Sequence, residues 1–104
     1  MHVLVTDGNE RAALAVTRAL GRQQLKVAVG AENEDSLAAA SKYCGQSFSY
    51  PSPYADERGF VARLLDVVRG LKISMVFPIS EIAMSLVLRH RREFEAHTIL
   101  PIPT

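Results

Sequence analysis

The sequence is poor in several features that mark whole classes of protein. Its 104 residues include one cysteine, no tryptophan, and 12 basic against 11 acidic side chains, which gives a formal net charge of +1. A single cysteine cannot form an internal disulfide or build a cysteine-rich metal site. The chain lacks the basic excess of a dedicated nucleic-acid binder, and no apolar run reaches the roughly 18 residues that span a bilayer. We therefore expect a cytoplasmic protein that has no metal site and binds neither nucleic acid nor membrane.

What is present indicates one small α/β domain. Hydrophobic residues make up 48% of the chain, enough for a single core. Short apolar runs alternate with segments of helical periodicity, and strands separated by helices form parallel β-α-β units. We predict a three-layer, doubly wound, Rossmann-like parallel sheet of about five strands. The predicted strands are 2–6, 25–30, 47–50, 73–77 and 98–100; the predicted helices are 10–23, 36–43, 56–69 and 81–94, and Gly21, Gly45 and Gly70 are expected to end the first three.

Two predicted strands are followed by loops with the chemistry of a binding site. In an open parallel sheet, ligands bind at the carboxyl ends of the strands, near the point where the strand order reverses. Asp7-Gly8-Asn9 follows the first strand and opens a helix, whose free N–H groups can hold a phosphate or a carboxylate. Gly8 would let the backbone approach a ligand closely. Ser80-Glu81 follows the fourth strand and can orient a polar ligand. The structural alternative is that Asp7, Asn9 and Ser80 cap helices, as such residues commonly do.

Glu32 supports a different interpretation of the same fold. It lies 24 residues after Gly8, close to the spacing at which a dinucleotide-binding fold places an acid on the ribose hydroxyls. The glycine fingerprint is incomplete, however, because residues 8–13 contain one glycine where the motif has three. A standalone nucleotide-binding module, with Glu32 as its cofactor residue, is therefore an alternative. A ligand-free dimerisation or interaction domain, which would pair with a second copy of the chain, is another.

Five segments, taken together in order and spacing, carry a family resemblance. They are VLVTDGNERAAL at 3–14, ALGR at 19–22, SLAAASKYC at 36–44, YPSP at 50–53 and FPISE at 77–81. This pattern resembles the N-terminal, pre-ATP-grasp domain of ATP-grasp carboxylate–amine ligases. It is most similar to the carbamoyl-phosphate-synthase-like ATP-grasp proteins.

The resemblance implies a role for this chain within a larger enzyme. Residues 1–104 would be the pre-ATP-grasp domain, a fragment of a longer protein whose two downstream lobes hold ATP and Mg²⁺. The complete enzyme would phosphorylate a small-molecule carboxylate to an acyl phosphate, which an amine then attacks. The N-terminal domain would contact the carboxylate substrate and the other lobes through Asp7, Gly8, Asn9, Ser80 and Glu81. Because the groups that neutralise transferred phosphoryl oxygens would lie downstream, we expect this chain to hold no cofactor and to be non-catalytic alone.

Overall fold

The computed structural model describes residues 1–102, which form four strands and four helices. In chain order these are β1 (His2–Val5), α1 (Arg11–Arg22), β2 (Lys26–Ala31), β3 (Cys44–Ser49), α2 (Glu57–Gly70), β4 (Met75–Phe77), α3 (Glu81–Arg89) and α4 (Arg91–Glu95). All four strands are parallel and lie in the order β3-β2-β1-β4. The predicted α/β class with a parallel, Rossmann-like sheet is confirmed. The strand order reverses between β1 and β4, so the carboxyl ends of these two strands flank the reversal point.

Helices cover both faces of the sheet. Alternate residues of β1 point to opposite faces, as in any strand. Leu4 joins the larger core, which contains Phe60 and Leu64 of α2 and Phe94 of α4. Val3 and Val5, together with neighbouring residues of β2, face Ala13 of α1 and form the smaller core on the other side. None of the helices within residues 1–102 is long and apolar enough to cross a membrane.

The predicted helix over 36–43 is wrong: this segment is a series of turns. Ser36 begins it as an N-cap would, because its Oγ accepts a hydrogen bond from Ala39 N at 3.2 Å. One backbone bond, from Ala40 N to Ser36 O at 3.1 Å, has helical spacing, but the bonds that follow have the shorter spacing of turns. Ala38 N, which the first turn of a helix would leave without an intrahelical partner, donates to the carbonyl of Gly8 at 2.8 Å. This tertiary bond holds the alanine-rich segment against the loop after β1.

Gly45 does not end a helix but lies inside β3, which begins at Cys44 rather than at the predicted Ser47. Val27 pairs with Cys44 and Ala28 with Gln46, so Gly45 is an extra residue in the ladder. One extra residue opposite a continuous strand is a β-bulge, a position at which glycine is common. Gly45 therefore marks an irregularity within a strand and not the end of a helix.

The other two glycines lie at helix ends, as predicted: Gly21 is in the last turn of α1 and Gly70 is the last residue of α2. Neither provides the left-handed residue of the stop, because no glycine within residues 1–102 has a positive φ. The left-handed residue after α1 is Gln24, at φ 65°, and the one after α2 is Lys72, at φ 53°. Around Gln24 the amide N of Leu25 donates to Leu20 O at 3.3 Å, which is the Schellman arrangement, and an equivalent bond follows α2.

The C-terminal part of the chain departs from prediction in two places. The helix predicted over 81–94 is divided at His90, whose φ of −108° and ψ of 30° separate α3 from α4 and allow Phe94 to enter the larger core. The predicted fifth strand contributes a single parallel bridge between Met75 and Ile99. Pro101 follows closely, and proline has no N–H with which to continue a ladder.

Candidate functional site

The loops after β1 and β4 meet at the reversal point of the sheet. Ser80 N donates to Asp7 Oδ2 at 2.9 Å, although the two residues are 73 positions apart. Thr6 strengthens the junction, because its Oγ1 accepts a hydrogen bond from Ile79 N at 2.9 Å and donates to Asp7 Oδ2 at 2.5 Å. The second carboxylate oxygen of Asp7, Oδ1, takes part in neither bond. The loop after β4 is thus held in register with the tip of β1 by two side chains.

Asp7 adopts a left-handed backbone conformation, with φ at 59°. Residues other than glycine seldom adopt it, although aspartate tolerates it better than most. The turn brings Asp7 O within 2.9 Å of Glu10 N, which donates to it, and so directs the chain into α1. The same turn leaves Asp7 N facing β3, where it meets the hydroxyl of Tyr50.

Tyr50 lies at the end of β3 and is 5% exposed. Its hydroxyl oxygen accepts a hydrogen bond from Asp7 N at 2.8 Å, and its ring packs edge-on against Phe60 with centroids 4.7 Å apart. Burial, and next the nearby carboxylate of Asp7, raise the pKa of Tyr50, so the phenol keeps its proton at physiological pH. No acceptor for that hydroxyl hydrogen is found within residues 1–102.

An open cleft of about 380 Å³ lies over this junction. Its walls come from the loops after all four strands, as expected for a ligand site in an open parallel sheet. The cleft is large enough for a small molecule. The residues that line it are Asp7, Asn9, Glu10, Ala31, Glu32, Asn33, Tyr50, Pro53, Tyr54, Ser80 and Ile82.

The five residues selected from the sequence divide into two groups. Asp7, Asn9 and Ser80 line the cleft, while Gly8 and Glu81 do not. Asn9 Oδ1 accepts a hydrogen bond from Leu37 N at 3.2 Å, and Ser80 Oγ caps α3 by accepting one from Ala83 N at 3.2 Å. Ser80 therefore caps a helix, as the structural alternative predicted, and it also lines the cleft.

Gly8 is buried behind the cleft. A Cβ at this position would overlap Ser36 Oγ and would lie 2.8 Å from Val29 Cγ1. Its own N–H donates to Gly30 O at 3.0 Å. The close approach that glycine permits here is therefore to β2 and to the turns after it. Glu81 is exposed in the first turn of α3, where an acid suits the helix dipole.

Sequence reasoning missed Tyr50, Tyr54 and Glu10 as cleft residues. Tyr50 was placed at the end of a strand, which is the relevant signal, but its contact with Asp7 depends on β3 lying two strands away from β1. Tyr54, which is 81% exposed, stands at the mouth of the cleft on the loop after β3. Glu32 was proposed as a cofactor residue from spacing alone, and it lies in the same cleft as Asp7.

The lining of the cleft is acidic. Asp7, Glu10 and Glu32 come from three successive parts of the chain, and the lining contains no Lys, Arg or His. The nearby cation Arg63 is engaged elsewhere: its Nε donates to Ser49 O at 2.9 Å, and its guanidinium lies over the ring of Phe48. Within residues 1–102, no group of three or more His, Cys, Asp or Glu side chains is arranged to hold a metal ion.

Comparison with known proteins adds no family to this description. No protein-family model matches the chain, and no curated protein is significantly similar to it. What is established is an α/β domain with a four-stranded parallel sheet and an acidic cleft at the carboxyl ends of its strands.

Proposed function

We propose that this chain is the N-terminal, substrate-side domain of an ATP-grasp carboxylate–amine ligase. The observation that supports this most is the hydrogen bond between Asp7 and Ser80. It joins two of the five segments that carry the family resemblance, at the carboxyl ends of the strands that flank the reversal point. Open parallel sheets bind their ligands at this position, which supports a domain that contacts a substrate.

In this proposal, the chemistry belongs to lobes that follow in the same protein. Those lobes bind ATP and Mg²⁺, and the γ-phosphoryl group passes to a substrate carboxylate, so that an acyl phosphate forms and ADP leaves. Transferred phosphoryl oxygens need cationic groups or metal ions around them. The cleft lining contains three carboxylates and no basic side chain, so this domain serves binding rather than phosphoryl transfer. The single cysteine supports placing the enzyme in the cytoplasm.

Glu32 favours one second candidate, a standalone nucleotide-binding module. It lies in the cleft and has room to accept hydrogen bonds from the ribose hydroxyls of a nucleotide. The pyrophosphate of such a ligand is disfavoured, because it would lie at the start of α1, where the negative charge of Glu10 would repel it. Calorimetry with NAD, NADP and FAD tests this candidate, and the absence of heat at millimolar cofactor would eliminate it.

The ligase proposal is tested by trapping its acyl phosphate. The protein is expressed from its complete reading frame and incubated with Mg-ATP, a panel of carboxylates and hydroxylamine. Hydroxylamine attacks the acyl carbon, expels inorganic phosphate and leaves a hydroxamate, which is measured together with ADP. We expect carboxylate-dependent formation of both products. If neither ADP nor hydroxamate forms with any carboxylate in the panel, the proposal is wrong.

Asp7→Asn tests whether this cleft serves the reaction. The amide oxygen of Asn can occupy the position of Oδ2 and accept the bonds from Thr6 and Ser80, so the junction is kept while the charge is lost. We expect a higher KM for a substrate other than ATP, with an unchanged KM for ATP. Asp66→Asn is the matched control, because Asp66 is exposed on α2 and pairs with Arg69. Equal effects of the two variants would contradict a substrate role for the cleft.

A further inference from the structure

We propose that the cleft binds the ammonium-bearing reactant, and not the carboxylate that becomes phosphorylated. This inference rests on the proposed function, and it assigns the cleft to one of the two reactants of the ligase. The carboxylate partner expected from the family resemblance would then contact other parts of the enzyme. Three features of the cleft support it: the charge of the lining, the hydroxyl donor of Tyr50 and the apolar walls.

Charge gives the first step. Asp7, Glu10 and Glu32 reach the cleft from the tip of β1, the start of α1 and the end of β2, and the lining offers no basic side chain in return. A carboxylate or phosphate placed here would face three like charges, and like charges in a partly desolvated cleft repel one another. An ammonium group would be attracted by all three charges, and this attraction does not require the carboxylates to converge on one point, an arrangement not found within residues 1–102.

Tyr50 gives the second step and is independent of the acids. Its side chain lines the cleft, is 95% buried and accepts one bond from Asp7 N, and no acceptor for its hydroxyl hydrogen lies within residues 1–102. Because the hydroxyl stands at the wall of an open cleft, this donor is available to a molecule that occupies the cleft. A ligand that carries an acceptor atom, such as a hydroxyl oxygen, near its cationic nitrogen can bond to it.

The walls of the cleft give the third step. Pro53 and Ile82 supply apolar surface, and the exposed ring of Tyr54 stands at the mouth. An aromatic face attracts a cation within about 6 Å of its centroid. Short methylene chains fit against the apolar residues while their charged end meets the carboxylates. The ligand class that satisfies all three steps is a small aliphatic ammonium compound with a hydroxyl or similar acceptor.

Three probes of equal length separate charge from shape. Putrescine, 1,4-butanediol and succinate share a four-carbon chain and carry two positive charges, no charge and two negative charges, respectively. Each is titrated into the ¹⁵N-labelled 104-residue chain, and backbone amide shifts are followed. We expect putrescine to shift the amides of Asp7, Asn9, Glu32 and Ser80 saturably, and more strongly at low salt than at high salt. Succinate should leave these amides unchanged, and butanediol should bind far more weakly.

Glu32→Gln gives the variant test, with Glu34→Gln as its control. Both changes remove one acidic charge from the same loop, but Glu34 lies outside the cleft lining. We expect Glu32→Gln to weaken putrescine binding about threefold, the order of effect of one partly exposed ion pair. Glu34→Gln should leave the affinity within experimental error of the parent chain.

Several results would overturn the inference. These are no saturable shifts with putrescine, equal or tighter binding of succinate or butanediol, or equal weakening by the two glutamate variants, which would indicate general surface charge. The hydroxamate assay supplies hydroxylamine in place of the natural amine and does not depend on this cleft's preference. Hydroxamate formation without putrescine binding would therefore reject the inference and leave the ligase proposal standing. Putrescine binding without hydroxamate formation would reject the ligase proposal alone.

Discussion

Replacing Tyr50 by Phe removes a single oxygen atom from the junction beneath the cleft. In the native chain that oxygen accepts the hydrogen bond from Asp7 N at 2.8 Å, and the residue is 5% exposed. The edge-on packing of the ring against Phe60 does not involve the hydroxyl and is kept in the variant. The substitution thus leaves the core intact and deprives one part-buried amide of its acceptor.

The loss of this acceptor is expected to lower the free energy of unfolding. A polar group left unsatisfied away from water costs about 1 to 2 kcal/mol. For a chain of this size, that loss lowers the melting temperature by about 4 to 10 °C. Urea unfolding followed by circular dichroism should show a lower midpoint with an unchanged slope, because the surface exposed on unfolding is the same.

Tyr54→Phe is the matched control for this experiment. It removes the same atom from a side chain that is 81% exposed, whose hydroxyl has water as a partner. We expect a change in unfolding free energy within about 0.5 kcal/mol, as is usual for surface substitutions. If the two phenylalanine variants unfold at the same midpoint, the bond between Tyr50 and Asp7 contributes nothing to stability and the reasoning is refuted.

Three further predictions concern buried groups. Gly8→Ala should destabilise the chain by about 2 kcal/mol, because the new methyl group would overlap Ser36 Oγ and crowd Val29, and Ser36→Ala should relieve part of that cost in a double-mutant cycle. Thr17→Val should raise the melting temperature by a few degrees in calorimetry, because the buried Thr17 Oγ1 has no hydrogen-bond partner among residues 1–102 and about 1 kcal/mol is recovered. Finally, the raised pKa of Tyr50 stabilises the fold fully below its ordinary value of 10.0, and this contribution is lost as pH rises from there through the higher folded value. Alkaline unfolding curves of the parent chain should therefore be steeper than those of Tyr50→Phe.

The parts of the fold that could be predicted are those in which local pattern and final contacts agree. The start of α2 is an example, because the predicted helix over 56–69 begins at Asp56, whose side chain caps the helix by accepting the hydrogen bond from Gly59 N. Strong apolar periodicity likewise placed β1 and α1 to within about one residue. In these elements, the apolar side chains on which the prediction was based are the ones that pack in the two cores.

The parts that could not be predicted depend on bonds between distant segments. An alanine-rich stretch after Ser36 favours a helix locally, yet it forms a series of turns that a bond from Ala38 N to Gly8 O holds against the loop after β1. The glycines near helix ends suggested stops, but left-handed turns at Gln24 and Lys72 end α1 and α2. Local propensity is a weak prior, and tertiary contacts routinely override it.

The candidate site shows the same limit. The rule that ligands bind at strand ends was enough to bring Asp7, Asn9 and Ser80 to one cleft wall. It could not show that Gly8 packs against Val29 of β2 and against Ser36 in the turns after it, because this contact depends on the tertiary packing of segments distant in sequence. The role of Tyr50 was equally hidden, since only the order β3-β2-β1 brings its hydroxyl to Asp7 N.

The two faces of the sheet are held by unequal cores. Helix α1 buries two residues, Ala13 and Thr17, against its face, whereas α2 buries six against the other. Less buried apolar surface means a smaller free energy for local opening. In hydrogen–deuterium exchange, the amides of α1 should therefore exchange before those of α2. The face of the sheet covered by α1 would then open first, while the larger core, which includes Leu4, Val76 and the buried residues of α2, still holds the central strands together.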